Sequence, residues 1–370
     1  MRAATAAVVR RPGAFEIEQV EIDAPREHEV LVRIVGCGLC HTDLSARDQE
    51  LPFKLPAILG HEGSGIVEHV GTDVTRLRPG DAVVLSYAYC GDCEYCQDER
   101  MAYCTRNARL NFGGVRPDGS SLVRDREGQP LSARFIGQSA FSTHSLVLET
   151  NAIRVPADVP LELMGPLGCS MQTGAGAVIN VLKPRRGDSI AIFGAGSVGL
   201  SAVMAARIAG CETIIAIDKN PGRLGIAAEL GATHTINARV DEAVAAIRNL
   251  TKGRGVHYSV ECTGVPAVLR QAVDALRACG ACVSLGVAGH QAEAQLHMNG
   301  FLLGKTLRGV TEGDSVARRF IPQLIDWWRD GQFPFDRLVS YFGLAQLNEA
   351  AAACASGLAI KAIVQPPHPV

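Results

Sequence analysis

Apolar residues in the first ninety positions fall in short runs: Val30-Leu31-Val32-Arg33-Ile34-Val35, Gly65-Ile66-Val67-Glu68-His69-Val70 and Ala82-Val83-Val84-Leu85. Such runs, rich in β-branched residues and parted by turn signals such as Pro79-Gly80-Asp81, predict strands, and helical spacing is largely absent here. A polar stretch at 113–130, with Arg116, Asp118, Arg124, Asp125, Arg126 and Glu127, predicts a surface excursion before a strand at Leu146-Val147-Leu148. From about residue 171 the pattern alternates. Strands are predicted at 189–193, 213–217, 256–260 and 281–287, and helices at 199–209 and 266–278. A third helix, opened by Asn220-Pro221 and stopped by Gly231, lies between the second and third of these strands. This alternation implies a doubly wound parallel sheet, so the fold class is α/β with a β-rich first domain. The expected boundaries are 1–170, 171–312 and 313–370, with a long helix at 314–329 whose Trp327-Trp328 read as packing residues.

Two cysteine constellations carry chemistry. Cys40-His41-Thr42-Asp43 sets a thiol, an imidazole, a hydroxyl and a carboxylate side by side; Gly60-His61-Glu62-Gly63 and Gly168-Cys169 follow. A lone cysteine is more often a small buried hydrophobe than a ligand. Together, however, Cys40, His61 and Cys169 make a Cys2His set, which suits a zinc ion keeping its fourth position for water or substrate. Asp43 is a partner for the second ring N–H of a ligating imidazole, and Glu62 a neighbour that orients His61 or approaches the metal transiently. Cys90, Cys93, Cys96 and Cys104, spaced C-x2-C-x2-C-x7-C, can close a tetrahedron and predict a structural zinc. An iron–sulfur cluster is the competing reading, less suited to the long last interval. Two zinc ions per chain are therefore expected.

The predicted parallel sheet opens with Gly194-Ala195-Gly196-Ser197-Val198-Gly199, and Asp218 ends its second strand. With a strand before and a helix after, the motif is a dinucleotide fingerprint rather than a chance glycine-rich turn. Gly194 makes the turn, Gly196 admits the pyrophosphate, Gly199 lets helix and strand pack, and Asp218 accepts from the adenosine ribose. A carboxylate there repels a 2′-phosphate, so NAD is expected over NADP, with Lys219 and Arg223 softening that preference.

Composition narrows the partners. A formal net charge of −2 over 370 residues gives no electrostatic case for nucleic acid or an anionic membrane, and points to a small uncharged substrate. No apolar run approaches a membrane span, and Arg10, Arg11 and Pro12 interrupt the alanine-rich start before a signal-peptide core, so a cytoplasmic location is expected. Six of the 12 cysteines remain outside the metal sets: Cys37, Cys211, Cys262, Cys279, Cys282 and Cys354, read as free and mostly buried thiols.

Cys40-His41-Thr42-Asp43, Gly60-His61-Glu62-Gly63, the four-cysteine loop, Gly168-Cys169-Ser170-Met171-Gln172-Thr173-Gly174 and the Gly194 fingerprint, in this order and at these gaps, resemble the zinc-containing medium-chain alcohol dehydrogenases. Arg308-Gly309-Val310-Thr311-Glu312-Gly313-Asp314 and Phe333-Pro334-Phe335 look most like the aryl- or benzyl-alcohol branch. The resemblance implies a GroES-like catalytic domain made of both chain ends around a central Rossmann domain, and a homodimer or homotetramer. It implies that Thr42 takes the substrate proton, that His41 lies near the cofactor pyrophosphate, and that Lys361 helps bind phosphate. Phe135, Ile136 and Val287 would line the substrate or nicotinamide pocket, and Val198 would belong to the cofactor turn. The implied reaction is NAD-linked oxidation of a primary aromatic or allylic alcohol to the aldehyde. Alternatives are another alcohol, such as a terpenoid or a glutathione–formaldehyde adduct, or a zinc- and NAD-dependent redox sensor. The chain departs from the liver-type pattern at Leu44-Ser45, where that pattern carries a proton-relaying histidine two residues after the aspartate.

Overall fold

The structure, a computed structural model, describes residues 1–289 and 291–367. Strands β1 (Arg2–Val9), β2 (Glu16–Ile22), β3 (Glu29–Gly38), β4 (Ala57–Ile58), β5 (Glu62–Val70), β6 (Ala82–Leu85), β7 (Val123–Asp125), β8 (Pro130–Leu131), β9 (His144–Leu148) and β10 (Ala152–Arg154) fill the N-terminal part. The middle holds β11 (Ser189–Phe193), β12 (Thr213–Asp218), β13 (His234–Asn237), β14 (Val256–Glu261), β15 (Leu276–Ser284) and β16 (Thr306–Gly309); β17 (Val339–Gly343) and β18 (Lys361–Gln365) follow. The chain forms two compact units, one of residues 1–169, 316–323 and 336–370, the other of residues 170–315 and 324–335.

The first unit has two sheets, ordered β4-β1-β2-β7-β8 and β10-β6-β5-β3-β18-β17, with β9 also paired to β3. Alternation along β1 and β2 turns Ala4, Ala6, Val8, Val20 and Ile22 into one core with Leu31, Ile58, Leu122 and Leu146. The C-terminal strand β18 enters the second sheet beside β3, at Ile363 opposite Gly38. The second unit is a six-stranded sheet, β13-β12-β11-β14-β15-β16, with every pair parallel. The neighbouring strands β11 and β12 read as apolar runs because helices cover the sheet, and Ala191, Phe193, Ile215, Ile217 and Ile247 share one core.

Four local expectations need correction. Helix is present early: His41–Arg47 is helical, opened by Asp43, whose carboxylate accepts the Cys40 N–H at 3.0 Å. A short helix capped by its own first turn carries too few apolar repeats to show as periodicity. The 113–130 stretch is no plain surface excursion, for it contains β7 and begins β8, and Arg116 is buried on Glu29 with Nε–Oε1 at 2.9 Å. The helix from Pro266 stops at Asp274, and β15 starts at Leu276 and stops at Ser284, short of Val287. The long helix starts at Ala317, after a tight turn at Glu312–Asp314 in which Glu312 and Asp314 are left-handed. Trp328 packs on Phe335, ring centroids 6.3 Å apart. Among the six remaining cysteines Cys37, Cys211 and Cys282 are buried, Cys262 and Cys354 half-buried, and Cys279 exposed.

Candidate active site

Backbone pairing gathers the first cluster. Residue 38 of β3 lies opposite Glu62 of β5, which sets Cys40, two residues past the end of β3, near His61 at the start of β5. Cys169 reaches them because Gly165 and Gly168 let its turn press against the sheet: a Cβ at either would stand 2.1 Å from the Glu62 carbonyl oxygen or 1.9 Å from that of Leu85. One ligand atom from each of Cys40, His61, Glu62 and Cys169 lies within 4.8 Å of the others.

The imidazole of His61 is fully buried, and its Nδ1 lies 2.9 Å from Asp43 Oδ1. That bond leaves Nε2, which has no hydrogen-bond partner among the described residues, as the ring atom open to a metal. Asp43 also accepts from Gly60 N at 3.0 Å, so one buried carboxylate fixes both ligand-bearing segments. Burial works against the imidazolium, but Asp43 and Cys40 carry His61 well above its ordinary value. Contact with Cys169 holds the Cys40 thiol well below its usual range, against burial and with help from His61. A buried, unpartnered ring nitrogen beside two sulfurs, one poised as thiolate, fits a zinc ion. The Thr42 hydroxyl lies 3.7 Å from Cys40 Sγ, and His41 stands exposed at the helix start.

Glu62 is a fourth donor. Its carboxylate takes the Lys361 ammonium at 3.0 and 2.8 Å, and Lys361 also donates to Leu39 O at 3.0 Å. Burial raises the Glu62 carboxyl, with Lys361 opposing, while Glu62 raises Lys361 despite its burial. Lys361, for which the resemblance implies a phosphate contact, is held here in a buried ion pair beside the donor set. Nothing in periodicity marks this pair, which joins residues 299 positions apart.

The segment after β8 supplies an aromatic wall. Phe135 is buried edge-on to His61, with centroids 5.5 Å apart, and meets Phe53 at 5.1 Å and Phe112 at 6.1 Å. Arg134, Ile136 and Ser139 all have positive φ, and for β-branched Ile136, at 46°, this is a strained conformation. Buried bonds hold it: Arg134 Nη2 to Glu29 Oε1 at 2.5 Å, and Ser139 Oγ to Ile58 O at 2.5 Å. Of these residues Phe135 and Ile136 were singled out from the sequence, but not Phe53, Phe112 or Gln138, whose partners are remote in the chain.

The second cysteine set closes on itself. Sγ separations are 3.8 Å for Cys90–Cys96, 4.0 Å for Cys93–Cys104 and 3.5 Å for Cys90–Cys104. A zinc tetrahedron with bonds of about 2.3 Å has edges of about 3.8 Å, so these four fit the ion.

In the second unit Gly194 has φ +97° between β11 and the helix Ser197–Ile208, and a Cβ at Gly199 would lie 1.8 Å from Gly194 O. A Cβ added at Gly196 would meet open space, and Val198 lies in the first turn of that helix. Asp218 Oδ2 accepts the Ala195 N–H at 2.7 Å and Oδ1 the Asn220 N–H at 2.8 Å. Arg223 stands half-buried in the following helix, and Val287 is exposed beyond β15.

Comparison with known proteins agrees with this architecture. Residues 197–329 match the zinc-binding dehydrogenase family and residues 26–157 the alcohol dehydrogenase GroES-like domain. A geraniol dehydrogenase of Castellaniella defragrans is 44% identical over 364 residues, covering 98% of this chain and 97% of that protein. A class-3 alcohol dehydrogenase of Myxine glutinosa is 34% identical, covering 98% and 97%. The crystal structure of benzyl alcohol dehydrogenase from Acinetobacter calcoaceticus has a TM-score of 0.96 at 44% identity, covering 99% of this chain and 100% of that one. The chain belongs to the zinc-containing medium-chain alcohol dehydrogenases.

Proposed function

We propose that this enzyme oxidises primary alcohols whose carbinol carbon adjoins an unsaturated carbon, aromatic or allylic, and passes the hydride to NAD. The observation that carries the reading is the convergence of Cys40, His61 and Cys169 beside the Thr42 hydroxyl. Those three residues would hold the catalytic zinc and Cys90, Cys93, Cys96 and Cys104 a structural one, two ions per chain. When bound, the catalytic ion supplies Lewis acidity toward the substrate oxygen.

The chain's own groups do the rest. Asp43 fixes the tautomer of His61, and the Thr42 hydroxyl takes the carbinol proton. Phe135, packed on His61, Phe53 and Phe112, forms an apolar wall behind the donor set that keeps water from it. At the liver-type relay position the buried Ser45 hydroxyl donates to Glu50 Oε2 at 3.2 Å. The turn 194–199 takes the pyrophosphate, and Asp218, braced on Ala195 N, favours NAD by repelling a 2′-phosphate. Geraniol and benzyl alcohol, in the names of two relatives 44% identical to this chain, share the unsaturated neighbour, which supports that substrate class.

A second copy as partner is supported by the free edge of β16, flanked by exposed Met298, Leu302 and Leu303. None of the described helices is long and apolar enough to cross a membrane. The test is a NAD(P)-linked screen with benzyl alcohol, geraniol, ethanol and a glutathione–formaldehyde mixture. NADH formation fastest with the first two supports the proposal. A preference for ethanol, for the thiol adduct or for NADP overturns it.

A further inference from the structure

Backbone pairing around His61 has a gap. Before it, Gly60 O accepts from Ala140 N at 2.7 Å; after it, β5 joins the β6 ladder only from Ser64, opposite Val84. The carbonyl of His61 and the N–H of Gly63 fall in this gap, one on each flank of Glu62. Both are met by one side chain. Gln138, itself buried, donates from Nε2 to His61 O at 2.7 Å and accepts from Gly63 N at Oε1 at 3.1 Å. The same Nε2 donates to Ser86 O at 3.2 Å, just beyond the end of β6.

Among uncharged side chains only a carboxamide offers a strong donor and a strong acceptor at the spacing of a peptide group. Gln138 therefore stands in for a missing rung of the sheet, where His61 and Glu62 are presented. Its surroundings hold it rigidly. Its carbonyl accepts from Ser145 Oγ at 2.7 Å, and the left-handed residues before and after it are pinned by Glu29 and by Ile58 O. Gly63 is pressed so closely that an added Cβ would lie 2.7 Å from Ala140 Cβ and 3.2 Å from Gln138 Oε1.

We propose that Gln138 is a positioning residue of the metal centre, a surrogate peptide group that fixes the backbone on both flanks of Glu62 and so sets His61 and Glu62 in the donor set. The inference rests on the metal-binding reading of Cys40, His61 and Cys169. It requires no contact between Gln138 and the ion. The amide acts through two backbone bonds, and its neutrality leaves the charge of the site unchanged.

The test compares wild type with Gln138→Met, which removes donor and acceptor at similar length, and Gln138→Glu, which keeps the shape and an acceptor. Each full-length protein is loaded with Co2+ in place of zinc. The visible d–d bands and the rate of metal transfer to a chromophoric chelator are then measured. In Gln138→Met the bands should shift and release from the Cys2His site should quicken at least tenfold, while release from the four-cysteine site stays as in wild type. Gln138→Glu should fall between the two. Should the methionine variant not fold, the glutamate variant, which lacks the donor to His61 O, is read alone: release from the Cys2His site faster than in wild type supports the proposal, and unchanged bands and release overturn it. A residue that merely fills space would lower the melting temperature and leave bands and release unchanged; that result overturns the proposal. Wild type that takes up cobalt only at the four cysteines overturns the metal-binding reading instead, and this inference with it.

Discussion

Replacing Asp43 by asparagine removes one charge and nearly no volume, and so isolates what the carboxylate does. Its oxygens accept three bonds: Oδ1 from His61 Nδ1 at 2.9 Å and Gly60 N at 3.0 Å, Oδ2 from Cys40 N at 3.0 Å. An amide keeps one acceptor. The best placement leaves oxygen toward His61 and Gly60 and turns the NH2 toward the Cys40 N–H, two donors face to face. A buried donor left unpaired costs roughly 1–3 kcal/mol. Separately, loss of the carboxylate partner of a ligating histidine lowers metal affinity by about 10–100-fold, roughly 1.4–2.7 kcal/mol. Asp43→Asn should thus fold with a lowered melting temperature and lose its catalytic-site metal to a chelator at 10- to 100-fold lower chelator concentration. Zinc at the four-cysteine site should remain. Chelator competition read at both sites, with kcat/KM for benzyl alcohol, makes the measurement. Affinity within twofold of wild type at the Cys2His site would refute the claim that Asp43 orients His61.

Three further outcomes are expected. Glu29→Ala strands the buried guanidinium of Arg134 and leaves that of Arg116 with Asp23 as its carboxylate partner, and should cost about 3–5 kcal/mol in denaturant unfolding; a loss under 1 kcal/mol would mean the pairing is idle. Gly199→Ala sets a methyl 1.8 Å from Gly194 O, so NADH binding measured by fluorescence should weaken at least tenfold while the zinc content is kept; undiminished binding would remove the fingerprint from the cofactor site. Burial, with Arg2 adding to it, pushes the His144 imidazole down to about 4 from its ordinary 6.5. Between those values the unfolded chain takes a proton that the folded one refuses, so this contribution is complete above pH 6.5 and drains away as pH falls toward 4. His144→Gln should flatten that fall in the melting temperature, and an identical pH profile in both proteins would exclude His144 as its source.

Much of the architecture was legible in the sequence because its signals are local. The parallel sheet announces itself through apolar runs such as Ile190-Ala191-Ile192-Phe193 and glycines at turns of forced geometry, and the four cysteines carry their spacing in one loop. Cys40, His61 and Cys169 were singled out through residue type, since chemistry narrows what such groups are for, and the fold brings them together. What escaped is contact between remote residues. Lys361 meets Glu62, Gln138 meets His61 and Gly63, and Arg116 meets Glu29, each pair set by how strands cross rather than by any period along the chain. A polar stretch reads as solvated whether its arginine faces water or a buried glutamate. Short elements escaped for another reason: seven residues of helix at His41–Arg47 span two turns, too few for a repeat to emerge.

The place of β18 in the sheet sets an order of events during synthesis. A ribosome releases the polypeptide from its first residue, and the six parallel strands up to Gly309 can find one another as soon as they emerge. The antiparallel pairing of β18 with β3 must wait for residues 361–365, over three hundred positions after β3 begins. Until then Glu62 lacks its cation and β3 keeps one open flank, so a nascent chain halted before Lys361 offers an adhesive strand to its neighbours. Synthesis of β18 is thus also the step at which the donor set acquires its counter-charge.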